Sequence, residues 1–143
     1  MGIARLRAAV TRWLALAALA SLTACTAPDP CRDVGAHQAL VATLLFGLDL
    51  PGRQPVTNDE WSAFIRDVVT SRFPEGLTVL DGNGQWRDPA TGRVSAAPSR
   101  VVIIATDDAR SAPGKLAEVA DAYKARFDQK SVGILVSPTC AAF

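Results

Sequence analysis

In 143 residues the chain has one histidine, one methionine, one tyrosine and three cysteines, and aromatic residues make up only 6% of it. A lone histidine and few thiols cannot supply the convergent ligands of a zinc site, so no metal is expected, and His37 reads as a polar residue at a strand edge. A nucleophile elbow, a Walker sequence and a dinucleotide fingerprint are also missing; no catalytic set is recognisable and no cofactor is implied. The GNG at Gly82 to Gly84 is therefore a turn signal, not a phosphate cradle. No excess of charge of either sign exists, with 15 Lys and Arg against 14 Asp and Glu. That balance leaves no electrostatic footprint for nucleic acid. Nor does any apolar run reach the roughly 20 residues a membrane-spanning helix needs.

What is present begins with a leader. Arg5, Arg7 and Arg12 are its only charges, WLALAALA follows at Trp13 to Ala20, and Ser21, Thr23 and Ala24 close it. This is the three-part layout of a secretory signal peptide, here residues 1–24. Its end, Leu22-Thr23-Ala24-Cys25, resembles the lipobox of bacterial lipoproteins. That resemblance implies that Cys25 becomes the lipidated first residue of an exported protein, whose several acyl chains anchor it where a single chain binds only marginally. Residues 25–36 then form the lipidated cysteine and its tether, with TAPDP at Thr26 to Pro30 as a Pro-containing spacer. Thr26 is not the aspartate that retains some lipoproteins in the inner membrane, so the outer membrane is open to it. Loss of the leader removes three of the 15 basic residues, leaving 12 against 14 acidic ones. With Cys25 assigned to lipid, Cys31 and Cys140 are the default disulfide in a compartment that permits one, the alternative being two free buried thiols. Closing so long a loop stabilises by ~4 to 5 kcal/mol in the chain-entropy account.

Residues 37–143 form the domain. Gln38 to Leu48 alternates as a buried strand, although Leu40, Leu44, Leu45 and Leu48 also fit a helix. Thr57-Asn58-Asp59-Glu60 is a capping box, with Val56 and Trp61 placed as a staple, and it opens a helix whose apolar face is Trp61, Phe64, Ile65, Val68 and Val69. That helix should stop near Phe73, ahead of Pro74 and Gly76. Leu77 to Arg87 is expected as a strand with a glycine bulge at Gly82 to Gly84, reversing at DPATG. Arg93 to Thr106 returns as a strand broken by Pro98. A second helix spans Pro113 to Asp128, with Leu116, Val119, Ala120, Tyr123 and Phe127 inward, and Ser131 to Ser137 is the last strand.

The order strand, helix, strand, strand, helix, strand predicts an α+β fold, the ferredoxin-like βαββαβ two-layer sandwich with an antiparallel sheet ordered 4-1-3-2. The first and third strands, LVATLLFGL and VVIIAT, are apolar enough to be central, and the antiparallel fourth strand brings Cys140 to the end of the sheet where Cys31 lies. The same chain carries a family resemblance. FGLDLPG at Phe46 to Gly52, DEWSAFIRDVVTSRFPEGLTVLDGNGQWRD at Asp59 to Asp88, PSRVV at Pro98 to Val102 and YKARFDQKSV at Tyr123 to Val132 resemble domain-of-unknown-function family 3574. The resemblance implies a defined domain and no activity.

Polar candidates for a ligand site are Asp81, Gln85, Trp86, Arg87, Ser99 and Arg100, which a hairpin could bring together, and Tyr123. An arginine pair beside an indole and a carboxylate suits an anionic or sugar-like ligand; the competing reading is a cross-strand ion pair of Asp81 with an arginine. Two helices cover only one face of a sheet whose central strands are apolar on both. The second face should therefore be buried by a symmetric partner in a homodimer or line a ligand cavity. Three functions fit: a non-enzymatic envelope lipoprotein that binds a ligand or protein, a small cofactor-independent enzyme using Asp81, Arg87, Arg100 or Tyr123 in a sheet-face cavity, and a structural lipoprotein.

Overall fold

The structure is a computed structural model and describes residues 31, 32, 35–50, 52 and 54–143. The leader, Cys25 and most of the tether lie outside the described residues. Strand β1 is His37–Gly47, helix α1 Asn58–Phe64, strand β2 Thr78–Arg87, strand β3 Val94–Thr106, helix α2 Ala112–Phe127 and strand β4 Gly133–Ala141. The strands form one antiparallel sheet in the order β2-β3-β1-β4, the expected 4-1-3-2 arrangement read from the other edge. The fold is ferredoxin-like.

Local chemistry accounts for the helices. The Thr57 hydroxyl accepts the Glu60 N–H at 3.2 Å while the Glu60 carboxylate accepts the Thr57 N–H at 2.9 Å, so two donors that a helix start leaves unpaired are satisfied. Helix α1 then widens into a π-type turn at Ile65–Val69, where the Thr70 N–H reaches the Ile65 carbonyl at 2.8 Å. Helix α2 starts with Pro113 in its first turn and ends at Asp128, which takes the left-handed conformation at φ 51° and turns the chain toward β4.

The core lies between the helices and one sheet face. Phe46 meets Tyr123 at 4.7 Å and Trp61 at 5.3 Å between ring centroids, and Phe64 meets Tyr123 at 5.1 Å, all edge to face. Such pairs contribute about 0.5 to 1.5 kcal/mol each beyond the area they bury. At one end of the sheet a disulfide joins Cys31 to Cys140 across 5.2 Å between Cα atoms.

Three local expectations fail. The pairing of β2 with β3 runs one to one from Thr78↔Ile103 to Arg87↔Val94, so no bulge interrupts it at Gly82 to Gly84. Gly82 serves close approach instead: a Cβ there would meet the Ser99 hydroxyl oxygen at 2.8 Å. Pro98 does not break β3 either, but sits in register opposite Asn83. The register of β1 with β3 ends at Gly47↔Ser99, and the Leu48 N–H still donates to the Pro98 carbonyl at 3.0 Å, but nothing beyond that bond needs an N–H from Pro98. A missing N–H is tolerated there. The last strand also runs past Ser137 to Ala141, carried by its pairing with β1 as far as His37.

Candidate functional site

Side chains on a strand alternate between faces, and the register shows which face each takes. Ala42, Leu44 and Phe46 of β1 and Val102, Ile104 and Thr106 of β3 are buried under the helices. The residues between them, Val41, Thr43 and Leu45 with Val101, Ile103 and Ala105, form the opposite face, which no described element covers. On that face Leu45 is 44% exposed, Leu80 48%, Leu135 56% and Trp86 58%. It is an open apolar surface of the kind that marks a binding site.

One end of this face is a trough of about 460 Å³. Leu45, Gly47, Ala97 and Gly133 line its floor and Trp86 its wall. Small residues keep the floor low, and Leu45 already lies over Gly133, where an added Cβ would come within 3.1 Å of it. Its polar rim is Asp49 from the β1–α1 loop and Gln129, Lys130 and Ser131 from the α2–β4 loop. Two bonds brace this end, one joining the two rim loops and one tying the floor to the core. The Gln129 side-chain amide donates to the Asp49 carbonyl, and the buried Tyr123 hydroxyl donates to the Gly47 carbonyl at 2.8 Å. Burial pushes the Tyr123 phenol up to about 12, so it stays a neutral donor.

The polar candidates do not converge. Trp86 faces the trough, whereas Asp81 and Arg100 pair with each other across β2 and β3 on the helix side of the sheet. Arg100 also donates to the Asn58 side-chain oxygen at 2.8 Å, and its Nε is buried without a partner among the described residues. Ser99 shares the open face but lies against Gly82. Gln85 and Arg87 alternate away from Trp86 and are exposed, and Tyr123 is a core residue that supports the trough from beneath. Alternation along the strand separates what the linear stretch DGNGQWR places together.

Sequence reasoning placed Leu45 on the second apolar face but missed Asp49, Gln129, Lys130 and Ser131. Asp49 and Gln129 are 80 residues apart and meet only because β1 and β4 are neighbours. The available signal was that FGLDLPG and YKARFDQKSV, two of the segments carrying the family resemblance, each end in one of these loops.

Two smaller surfaces lack this combination of wall, floor and rim. A hollow of about 390 Å³ at the other end of the open face is lined by Leu77, Thr78, Ile103 and Ala105, with Glu75 and Phe143 at its edge. A groove of about 340 Å³ between Trp61, Ile65 and Val79 lies on the helix side. His37 bonds Asp107 at 2.8 Å in the open, and among the described residues no three His, Cys, Asp or Glu side chains gather as metal ligands.

Comparison with known proteins adds the fold's relatives. A phage SAM lyase in complex with S-methyl-5'-thioadenosine superposes with a TM-score of 0.52 at 17% identity, over 72% of this chain and 90% of that one. The periplasmic divalent cation tolerance protein CutA from Archaeoglobus fulgidus superposes at 0.47 with 15% identity, over 75% and 88%. B. subtilis GlnK bound to ATP gives 0.46 with 10% identity, over 71% and 82%. No curated protein matches the chain in sequence. The family profile described as "Protein of unknown function (DUF3574)" matches residues 41–143, from Val41 within β1 to Phe143, and the chain belongs to that family.

Proposed function

We propose that the protein is an exported, lipid-anchored envelope protein that binds a small ligand on its helix-free sheet face. The observation that carries this reading is the trough itself, whose volume falls in the range of ligand sites, about 300 to 1,000 Å³. Trp86 offers an indole face for a flat or apolar body, and Lys130 at the rim favours an anionic end. Asp49 and Ser131 are placed to orient hydroxyl or amine groups. Because the trough is open to water along its outer side, it suits binding better than chemistry that must exclude solvent. The Asp81 and Arg100 pair, the best polar couple for an enzyme, faces the helices.

Anchoring rests on LTAC at Leu22 to Cys25 and the leader before it. Mass spectrometry of the mature N-terminus should find a diacylglyceryl group on Cys25, and an unmodified thiol on membrane-extracted protein would overturn the anchor. For the site, the membrane-extracted full chain is screened by thermal shift against small anionic amphiphiles and sugar acids, beside Trp86→Ala. Hits should stabilise the wild type and lose at least tenfold in affinity with Trp86→Ala, about 1.4 kcal/mol. A set of ligands that Trp86→Ala binds equally well, or no ligand at all, would refute the trough as the working site.

A further inference from the structure

Strand β4 closes one edge of the sheet and, among the described residues, pairs only with β1. Its first half, Gly133 to Ser137, reads GILVS. Ile134 and Val136 lie on the helix side, opposite Leu44 and Ala42, yet remain 39% and 43% exposed; Leu135, on the open face, is 56% exposed. This strand is therefore apolar and accessible on both faces as well as along its edge. From Ser131 to Phe143 the chain has no charged side chain. Edge strands that stay unpaired are normally blunted by lysine, an inward charge, a bulge or proline. Here only Pro138 does so, and it follows the apolar stretch without interrupting it.

We infer that the edge of β4 is where two copies of this chain join, antiparallel about a two-fold axis at Leu135. The stretch is self-complementary in that register. Leu135 meets the partner's Leu135, Ile134 meets the partner's Val136, and Gly133 meets the partner's Ser137. Pro138, which has no N–H to give, falls just outside the paired residues. Such an isologous contact closes after two copies and so stops at a dimer. It makes one eight-stranded sheet with both helix layers on the same side, and sets Ile134 and Val136 against Val136 and Ile134 of the second copy. No like charges oppose each other across the axis, and both troughs stay open on the opposite side. The contact runs along the strand edge, and Gly133 is the one trough residue it takes in.

The test uses the full chain extracted from membranes, with its mass measured by light scattering and sedimentation. The wild type should have twice the protomer mass. Leu135→Lys sets two ammonium groups against each other at the axis and should weaken the dimer by roughly tenfold or more. Ile134→Lys alone should weaken it similarly, while Ile134→Lys combined with Val136→Glu places opposite charges across the interface and should restore it. That rescue separates a lost contact from a lost fold. A monomeric wild type overturns the proposal, including the case in which residues before Cys31 cover β4. A dimer insensitive to Leu135→Lys also overturns it, and its loss with Leu80→Lys would move the contact to the helix-free face.

Discussion

The two faces of this sheet are built from alternate residues of the same strands, and they have opposite fates. Phe46 is fully buried in a ring cluster, whereas its neighbour Leu45 is 44% exposed on the floor of the trough. Both are large apolar residues in one central strand, so composition does not distinguish them; the presence of helices on one side does. The covered face holds the domain together. The uncovered face keeps apolar surface available at little cost to stability, which is the arrangement a binding surface needs.

The largest test of that contrast lies outside both faces. Cys140→Ser removes a cross-link spanning 109 residues, and urea unfolding should show a loss of ~4 to 5 kcal/mol. It should loosen both faces together, since β1 and β4 share that end of the sheet. Next come substitutions within β1. Phe46→Ala should cost about 3 to 5 kcal/mol, and Leu45→Ala, one residue away, less than about 1 kcal/mol. Equal losses would mean that the open face is buried in the working protein. Tyr123→Phe, which deletes the hydroxyl bonded to Gly47, should cost about 1 kcal/mol and loosen the rim of the trough, visible as faster amide exchange at Gly47 to Asp49. Trp86→Ala should change stability by no more than about 0.5 kcal/mol while weakening any ligand found for the proposed trough at least tenfold. The smallest effect concerns acid. The Ser111 hydroxyl and N–H, with Lys115, hold Asp108 down at about 2, and the Ala90 and Thr91 N–H groups lower Asp88. Both groups have folded values below the usual 3.8, so the stability they add is complete above that value and is lost as pH falls toward 2. Asp108→Asn should flatten the acid limb of the unfolding profile slightly and leave the neutral plateau nearly unchanged.

Much of the fold was legible because its signals are local. The Thr57 and Glu60 capping box, the aromatic stripe from Trp61 to Phe64 and the alternation in β1 and β3 each act within a few residues, and each appears in the structure. The failures share a different cause. A glycine bulge at Gly82 to Gly84 and a break at Pro98 both follow from local propensity, but here the local signals do not decide. Gly82 answers to Ser99 across the ladder, and Pro98 is tolerated because β1 has already ended. The site was less legible still. DGNGQWR is polar and contiguous, yet alternation sends Asp81 toward the helices and Trp86 to the other face, and the trough's rim comes from loops at Asp49 and Gln129.

Taken alone, the sequence determines the types of the elements, their split βαβ order, and the need for the apolar strands to be central. Those properties follow from composition and from periodicities of two and 3.6 residues, which need no knowledge of distant neighbours. Only tertiary structure decides which apolar residues are core and which are surface, because alternation specifies two faces without saying which one the helices take. It also decides that Trp86, Asp49 and Lys130 share one trough while Arg100 does not. Those assignments depend on strand order, register and twist, and so on contacts between residues far apart in the chain.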